Sequence, residues 1–166
     1  MRYRRLTSCA LLTAVALSIF VIEAQFPVLI PIPGIKPGLS NIITLFALLY
    51  LTPGETALIL LSRILLGSLF VGNPVILLYS LTGGLCCLFV ELCICKIAPI
   101  PALSAVGAMV HNTVQLLVAA LVTGTFAVFC YLPILLIAGI ITGLFTGFCL
   151  YFLNRSCEKT LKRIFS

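Results

Sequence analysis

Long apolar runs with almost no charge inside them decide which solvent this chain can fold in. Between Leu6 and Leu153 the charged side chains are Glu23, Lys36, Glu55, Arg63, Glu91 and Lys96. Of all 166 residues, 62% are hydrophobic and only 8% charged, whereas a soluble domain carries about 25% charged residues. Such a chain cannot solvate a globular surface, so an all-α integral membrane protein is expected. A net charge of +6 would suggest nucleic acid as partner in a soluble protein. Here the basic residues gather at the chain ends and one loop, which points to topology and anionic lipid instead.

A spanning helix needs about 20 apolar residues. Six runs meet or approach that length: Leu6–Ile22, Leu39–Leu51, Glu55–Val71, Val75–Cys95, Ala102–Thr123 and Tyr131–Leu153. Proline and glycine punctuate them at Pro53-Gly54, Gly72-Asn73-Pro74, Pro99 with Pro101, and Gly124-Thr125, while Pro133 fits a first helical turn. The second run is short. We expect one six-helix bundle over residues 1–153, with an outer loop at 24–38 and a basic tail at 154–166. Placing both termini inside puts Arg2, Arg4, Arg5, Lys96, Arg155, Lys159, Lys162 and Arg163 on the cytoplasmic face, eight of the ten basic residues. That is the asymmetry of a multi-pass protein of the cell membrane, N-in and C-in. The basic start and apolar run of Met1 to Phe20 are read as a retained first helix rather than a cleaved signal. The tail is expected to lie as a frayed or interfacial helix on the inner leaflet.

Pro27 to Thr44 breaks the apolar pattern. It holds Pro27, Pro31, Pro33 and Pro37 with two glycines and Lys36, so no continuous helix crosses it. Beyond it the apolar run resumes with Ser40, Asn41 and Thr44 on its first turns. A broken segment feeding a short, polar-tipped helix is a common way for transporters to build a site. Unused backbone N–H groups there, with Lys36 beside them, would suit an anion, although Ser40 or Asn41 would serve equally as a helix cap. Tyr79 and Ser80 begin the fourth helix at a similar depth. On the fifth helix Ala108, His111, Asn112 and Gln115 share one face at i, i+3, i+4 and i+7. Interhelical hydrogen bonding is one use for them; ligand binding or gating is another, and is favoured.

Ionisable groups within the bilayer need a partner or a use. Arg63 on the third helix and Glu91 on the fourth differ in depth by about one helical turn, so a structural ion pair is expected. Ala10 and Ala14 on the first helix, and Gly139, Gly143 and Gly147 on the sixth, place small residues four apart, the spacing that lets helix backbones approach closely. The glycines suit packing inside the chain; the alanines suit either internal packing or an outward seam for another membrane subunit. Eight cysteines sit mostly in apolar runs and one histidine accompanies them, which gives no zinc-ligand spacing. There is no phosphate-binding Gly-x-x-x-x-Gly-Lys stretch, and no aspartate for magnesium–diphosphate chemistry. No catalytic residues, metal or cofactor are expected.

Five segments carry a resemblance across nearly the whole chain: Ala10-Leu-Leu-Thr-Ala14, Pro33-Gly-Ile-Lys-Pro-Gly-Leu-Ser-Asn41, Leu78-Tyr-Ser-Leu-Thr-Gly-Gly84, Val110-His-Asn-Thr-Val-Gln115 and Tyr131-Leu-Pro-Ile-Leu-Leu-Ile-Ala-Gly139. They resemble the Gx transporter family, whose members are often labelled heptaprenyl diphosphate synthase component I. That family is similar in turn to the substrate-binding S components of energy-coupling factor (ECF) transporters. The resemblance implies six helices, an outward ligand site capped by the first loop, and docking on a membrane coupling subunit driven by two ATPases. Carried over, Ala10 and Ala14 become the docking seam, and Lys36, Asn41, His111 and Gln115 the candidate site, with Thr44, Tyr79 and Asn112 nearby. The expected function is uptake of a small vitamin-like or anionic molecule. The alternative is a non-catalytic membrane subunit assisting polyprenyl diphosphate or quinone synthesis.

Overall fold

The structure, a computed structural model, describes residues 2–25, 39–71 and 74–165. Six α-helices make it up: α1 (Arg2–Gln25), α2 (Asn41–Tyr50), α3 (Pro53–Val71), α4 (Pro74–Ile94), α5 (Ile100–Thr123) and α6 (Leu132–Phe165), with a 3-10 turn at Phe126–Tyr131. No strand occurs among the described residues. Proline opens α3 and α4, where its missing N–H costs nothing. Gly124 closes α5 at φ 64°, a left-handed position that favours glycine. Thr52 and Glu55 start α3 with a reciprocal capping pair: the Thr52 N–H donates to Glu55 Oε2 at 2.9 Å and the Glu55 N–H to Thr52 Oγ1 at 3.4 Å.

Five of the helices, α1 and α3 to α6, are long and apolar enough to cross a membrane. The second expected span differs. At 10 residues, α2 is about 15 Å long, half the depth of a hydrocarbon core. The tail also differs from a separate element: α6 continues through Asn154 to Phe165 without interruption. Its 34 residues make a rod of about 50 Å, which outruns the bilayer core.

α1 and α3 run parallel. Arg5 Nη1 lies 4.0 Å from Glu55 Oε1 at one end, and the Phe20 ring covers Gly67 towards the other. α5 and α6 run antiparallel along a seam of bare backbone. A Cβ on Gly143 would stand 2.6 Å from Ala105 Cα, and one on Gly147 would stand 2.6 Å from Pro101 Cα. Both are distances that real side chains do not reach. α4 lies on α5, and α2 wedges between α3 and α6, its C-terminal end tied by the Tyr50 hydroxyl donating to Asn154 Oδ1. That link puts residue 154 at the same end of the bundle as Arg5 and Glu55. Leu45 and Phe46 of α2 pack with Leu103 and Leu150, and Leu60 and Ile64 of α3 with Leu88. Outward stand Leu11, Leu69, Phe70, Phe89 and Phe145, an apolar belt that suits lipid rather than water.

The seam makes a test. Gly143→Val should cost on the order of 3 kcal/mol or more by overpacking, read as a lower thermal unfolding midpoint in detergent. Gly54→Ala, where nothing lies within 4 Å, should leave the midpoint within error or raise it slightly.

Candidate functional site

The start of α2 meets Arg63 inside the bundle. Arg63 stands ten residues beyond Pro53, so it sits about 15 Å along α3 and is almost wholly buried. A buried guanidinium requires acceptors. Ser40, the residue before α2, has helical backbone angles and makes no capping bond with its side chain. Its hydroxyl instead accepts from Arg63 Nη1, and Asn41 Oδ1 accepts from Nη2 at 3.1 Å. The flat fork of arginine suits two acceptors presented side by side.

The expected Arg63–Glu91 ion pair takes a different form. No nitrogen–oxygen distance within 4.0 Å joins the two, and the described ion pair of that length is Arg5–Glu55. Glu23 and Glu91 both act on Arg63 electrostatically, but the neutral oxygens of α2 take its hydrogen bonds. Glu91 is itself buried, with its carboxyl over Gly107 beside the Cys87 sulfur. A side chain at Gly107 would collide with Glu91 Oε1, so the glycine makes room for the carboxylate. Glu23, which the sequence offered only as the end of the first span, is buried and accepts the Leu39 N–H at 3.2 Å.

The polar face of α5 divides. Asn112 Nδ2 donates to the Leu135 carbonyl at 2.9 Å and abuts Gly139, so its amide ties α5 to α6. His111 and Gln115 turn the other way, onto Gly83 of α4. A Cβ there would stand 3.0 Å from His111 Nδ1 and 3.1 Å from Gln115 Cγ. The Gly83 backbone faces the imidazole, yet His111 Nδ1 is left without a hydrogen bond of proper geometry, as are Gln115 Oε1, Thr44 Oγ1 and Arg63 Nε. Tyr79 is buried one turn above Gly83. Ala10 and Ala14 lie exposed on α1, facing away from this interior. Lys36 and most of the 24–38 loop lie outside the described residues.

Below the Arg63 cluster is a small polar cavity. Asn41, Glu91, Ser104, Thr142 and Thr146 line it from four helices, with Ala108 and Gly143 completing the wall. The space open to the centre of a water-sized sphere is about 10 Å³, room for about one water. The sequence reasoning missed Ser104, Thr142 and Thr146. The signal was there: Ser104 precedes His111 by seven residues on the same helical face, and the two threonines flank the glycine seam. Among the described residues no three His, Cys, Asp or Glu side chains group to hold a metal.

Because Arg63 is held by α2 and not by Glu91, exchanging the charges (Arg63→Glu with Glu91→Arg) should not restore folding. Ser40→Ala should cost about 1.5–3 kcal/mol, the range for a hydrogen bond to a charged group. A double-mutant cycle with Arg63→Lys, read by thermal unfolding, should show the two losses coupled; simple additivity would place the Ser40 contact outside the energetics.

Neither a curated protein nor a solved structure matches the chain. Residues 12–153, which take in α2 to α5 and most of α1, match the family described as heptaprenyl diphosphate synthase component I. Arg63, the α2 start, the α5 face and the glycine seam all fall within that match. On this agreement over most of its length, the chain belongs to the heptaprenyl diphosphate synthase component I family.

Proposed function

We propose that the protein is a membrane-embedded substrate-binding subunit for uptake of a small vitamin-like or anionic molecule, without catalytic activity of its own. The observation that carries this is the set of four unpartnered, buried polar atoms: Thr44 Oγ1, Arg63 Nε, His111 Nδ1 and Gln115 Oε1. Each unsatisfied group of this kind costs about 1–3 kcal/mol, a cost that a bound polar ligand would remove. They come from α2, α3 and α5, around the inward-pointing start of a half-length helix, whose dipole favours negative charge. Lys36 would add its charge from the loop above. None of the four lines the small cavity beside Glu91, so ligand entry requires the bundle to open.

The same proposal includes the topology. α2 enters the bilayer as the second of six segments, with both termini on the cytoplasmic face where eight of the ten basic residues gather. Exposed Ala10 and Ala14 then offer a small-residue seam to an ECF-type coupling subunit driven by ATPases. The family description favours a second proposal: a non-catalytic membrane component assisting polyprenyl diphosphate or quinone synthesis. The absence of aspartate from the sequence fits an accessory role within it, since diphosphate chemistry relies on carboxylate-bound magnesium.

Purification of the full chain in detergent, followed by mass spectrometry of extracted small molecules, separates the two. A stoichiometric co-purified vitamin-like molecule supports uptake; a stable complex with a soluble prenyl synthase and no small molecule overturns it. Gln115→Ala and Lys36→Ala should each weaken binding of that molecule by roughly tenfold, the worth of about 1.4 kcal/mol, without loss of monodispersity. Unchanged affinity in both would reject this site.

A further inference from the structure

The cavity beside Glu91 has a chemistry of its own, separate from the unpartnered atoms of the proposed ligand site. Thr142 Oγ1 donates its proton to the Ala138 carbonyl at 2.9 Å. Thr146 Oγ1 gives its proton to the Thr142 carbonyl, also at 2.9 Å, and Ser104 Oγ lies 2.9 Å from Thr146 Oγ1. With the Thr146 proton on the backbone, the Ser104 hydroxyl is the donor in that last contact. Every hydroxyl proton at the wall is thus spent, and each of the three oxygens keeps at least one lone pair. The fourth oxygen group is the Glu91 carboxylate. Asn41 closes the α2 side with its Oδ1 anchored on Arg63.

We propose that this cavity seats a monovalent cation, Na⁺, held by the Glu91 carboxylate and the hydroxyl oxygens of Ser104, Thr142 and Thr146. Hard oxygen donors select hard cations and exclude thiophilic metals. One carboxylate among neutral oxygens balances one positive charge, where divalent sites draw on more carboxylates. Room for about one water takes a single unhydrated monovalent ion. Arg63 does not line the cavity; its Nη atoms are turned onto Ser40 and Asn41. Seated there, the ion neutralises a buried carboxylate that has no cationic nitrogen within 4.0 Å and joins α4, α5 and α6 from within. This goes beyond the uptake proposal and stands without it, because it requires no transported molecule.

The test uses the full-length protein in detergent with no ligand added. The thermal unfolding midpoint is followed as NaCl replaces choline chloride at constant ionic strength. The expected result is a saturable rise of about 3–6 °C at a Na⁺ concentration tenfold above its dissociation constant. Glu91→Gln, which keeps the side-chain shape, and Thr142→Val should each lose most of that rise. Equal midpoints in NaCl and choline chloride would mean a bound water only and would overturn the proposal. Full retention of the Na⁺ response in either variant would also overturn it, so Thr142→Val decides the matter if Glu91→Gln does not fold. Ligand co-purification reads the uptake proposal by a different measurement, so the two fail separately.

Discussion

The bundle depends on a buried arginine answered by neutral oxygens rather than by a carboxylate. Removing a guanidinium from water is costly enough that the surrounding structure must supply acceptors in fixed places. Here they come from the beginning of α2, a helix too short to cross the hydrocarbon core. α2 ends within the bundle at the depth of Arg63, and Arg63 has partners because α2 stops there. Ser40 would ordinarily cap the helix. Its hydroxyl is used on Arg63 instead, which leaves the N-terminal N–H groups of α2 without a side-chain cap from that residue. The N–H groups it would have capped turn to the backbone, Ile42 donating to the Leu39 carbonyl at 3.1 Å and Ile43 to the Ser40 carbonyl at 3.3 Å.

Much of this was legible in the sequence. Apolar run length and the placing of Pro53, Pro74 and Gly124 located α1, α3, α4 and α5 to within a few residues, and the start of α6 but not its end, which lies twelve residues beyond the expected Leu153; lipid leaves the backbone no alternative but internal hydrogen bonding. Periodicity put His111, Asn112 and Gln115 on one face. It could not divide them, since whether an amide meets a carbonyl on the next helix depends on rotation about both axes. The structure spends Asn112 on Leu135 and leaves His111 Nδ1 and Gln115 Oε1 without partners. Depth alone also misjudged Arg63. Two residues one turn apart in depth will pair only if no better acceptor intervenes, and Ser40 with Asn41 intervenes.

Polar residues that contribute small groups were the least visible. Ser104, Thr142 and Thr146 look like ordinary small residues in apolar helices, and the two threonine hydroxyls are satisfied by their own helix. Only when α5 and α6 come together along the glycine seam do their oxygens face a common space with Glu91. Gly107 shows the same dependence: its lack of a side chain matters because of an atom on another helix.

The nature of the α5–α6 seam also governs how such a bundle can move. Gly143 and Gly147 meet Ala105 and Pro101 mainly through main-chain atoms, so few side chains at that boundary are free to exchange rotamers. Closely packed interfaces of this kind shift between discrete arrangements or not at all. α5 and the N-terminal half of α6 are therefore tightly joined. By contrast, α1 meets α3 at Gly67 through the flexible Phe20 side chain, and the start of α2 meets α3 through the side-chain hydrogen bonds of Ser40 and Asn41 with Arg63. Those are contacts that can be broken one at a time. The contacts that can part singly are therefore those at Gly67 and around Arg63, not those of the glycine seam.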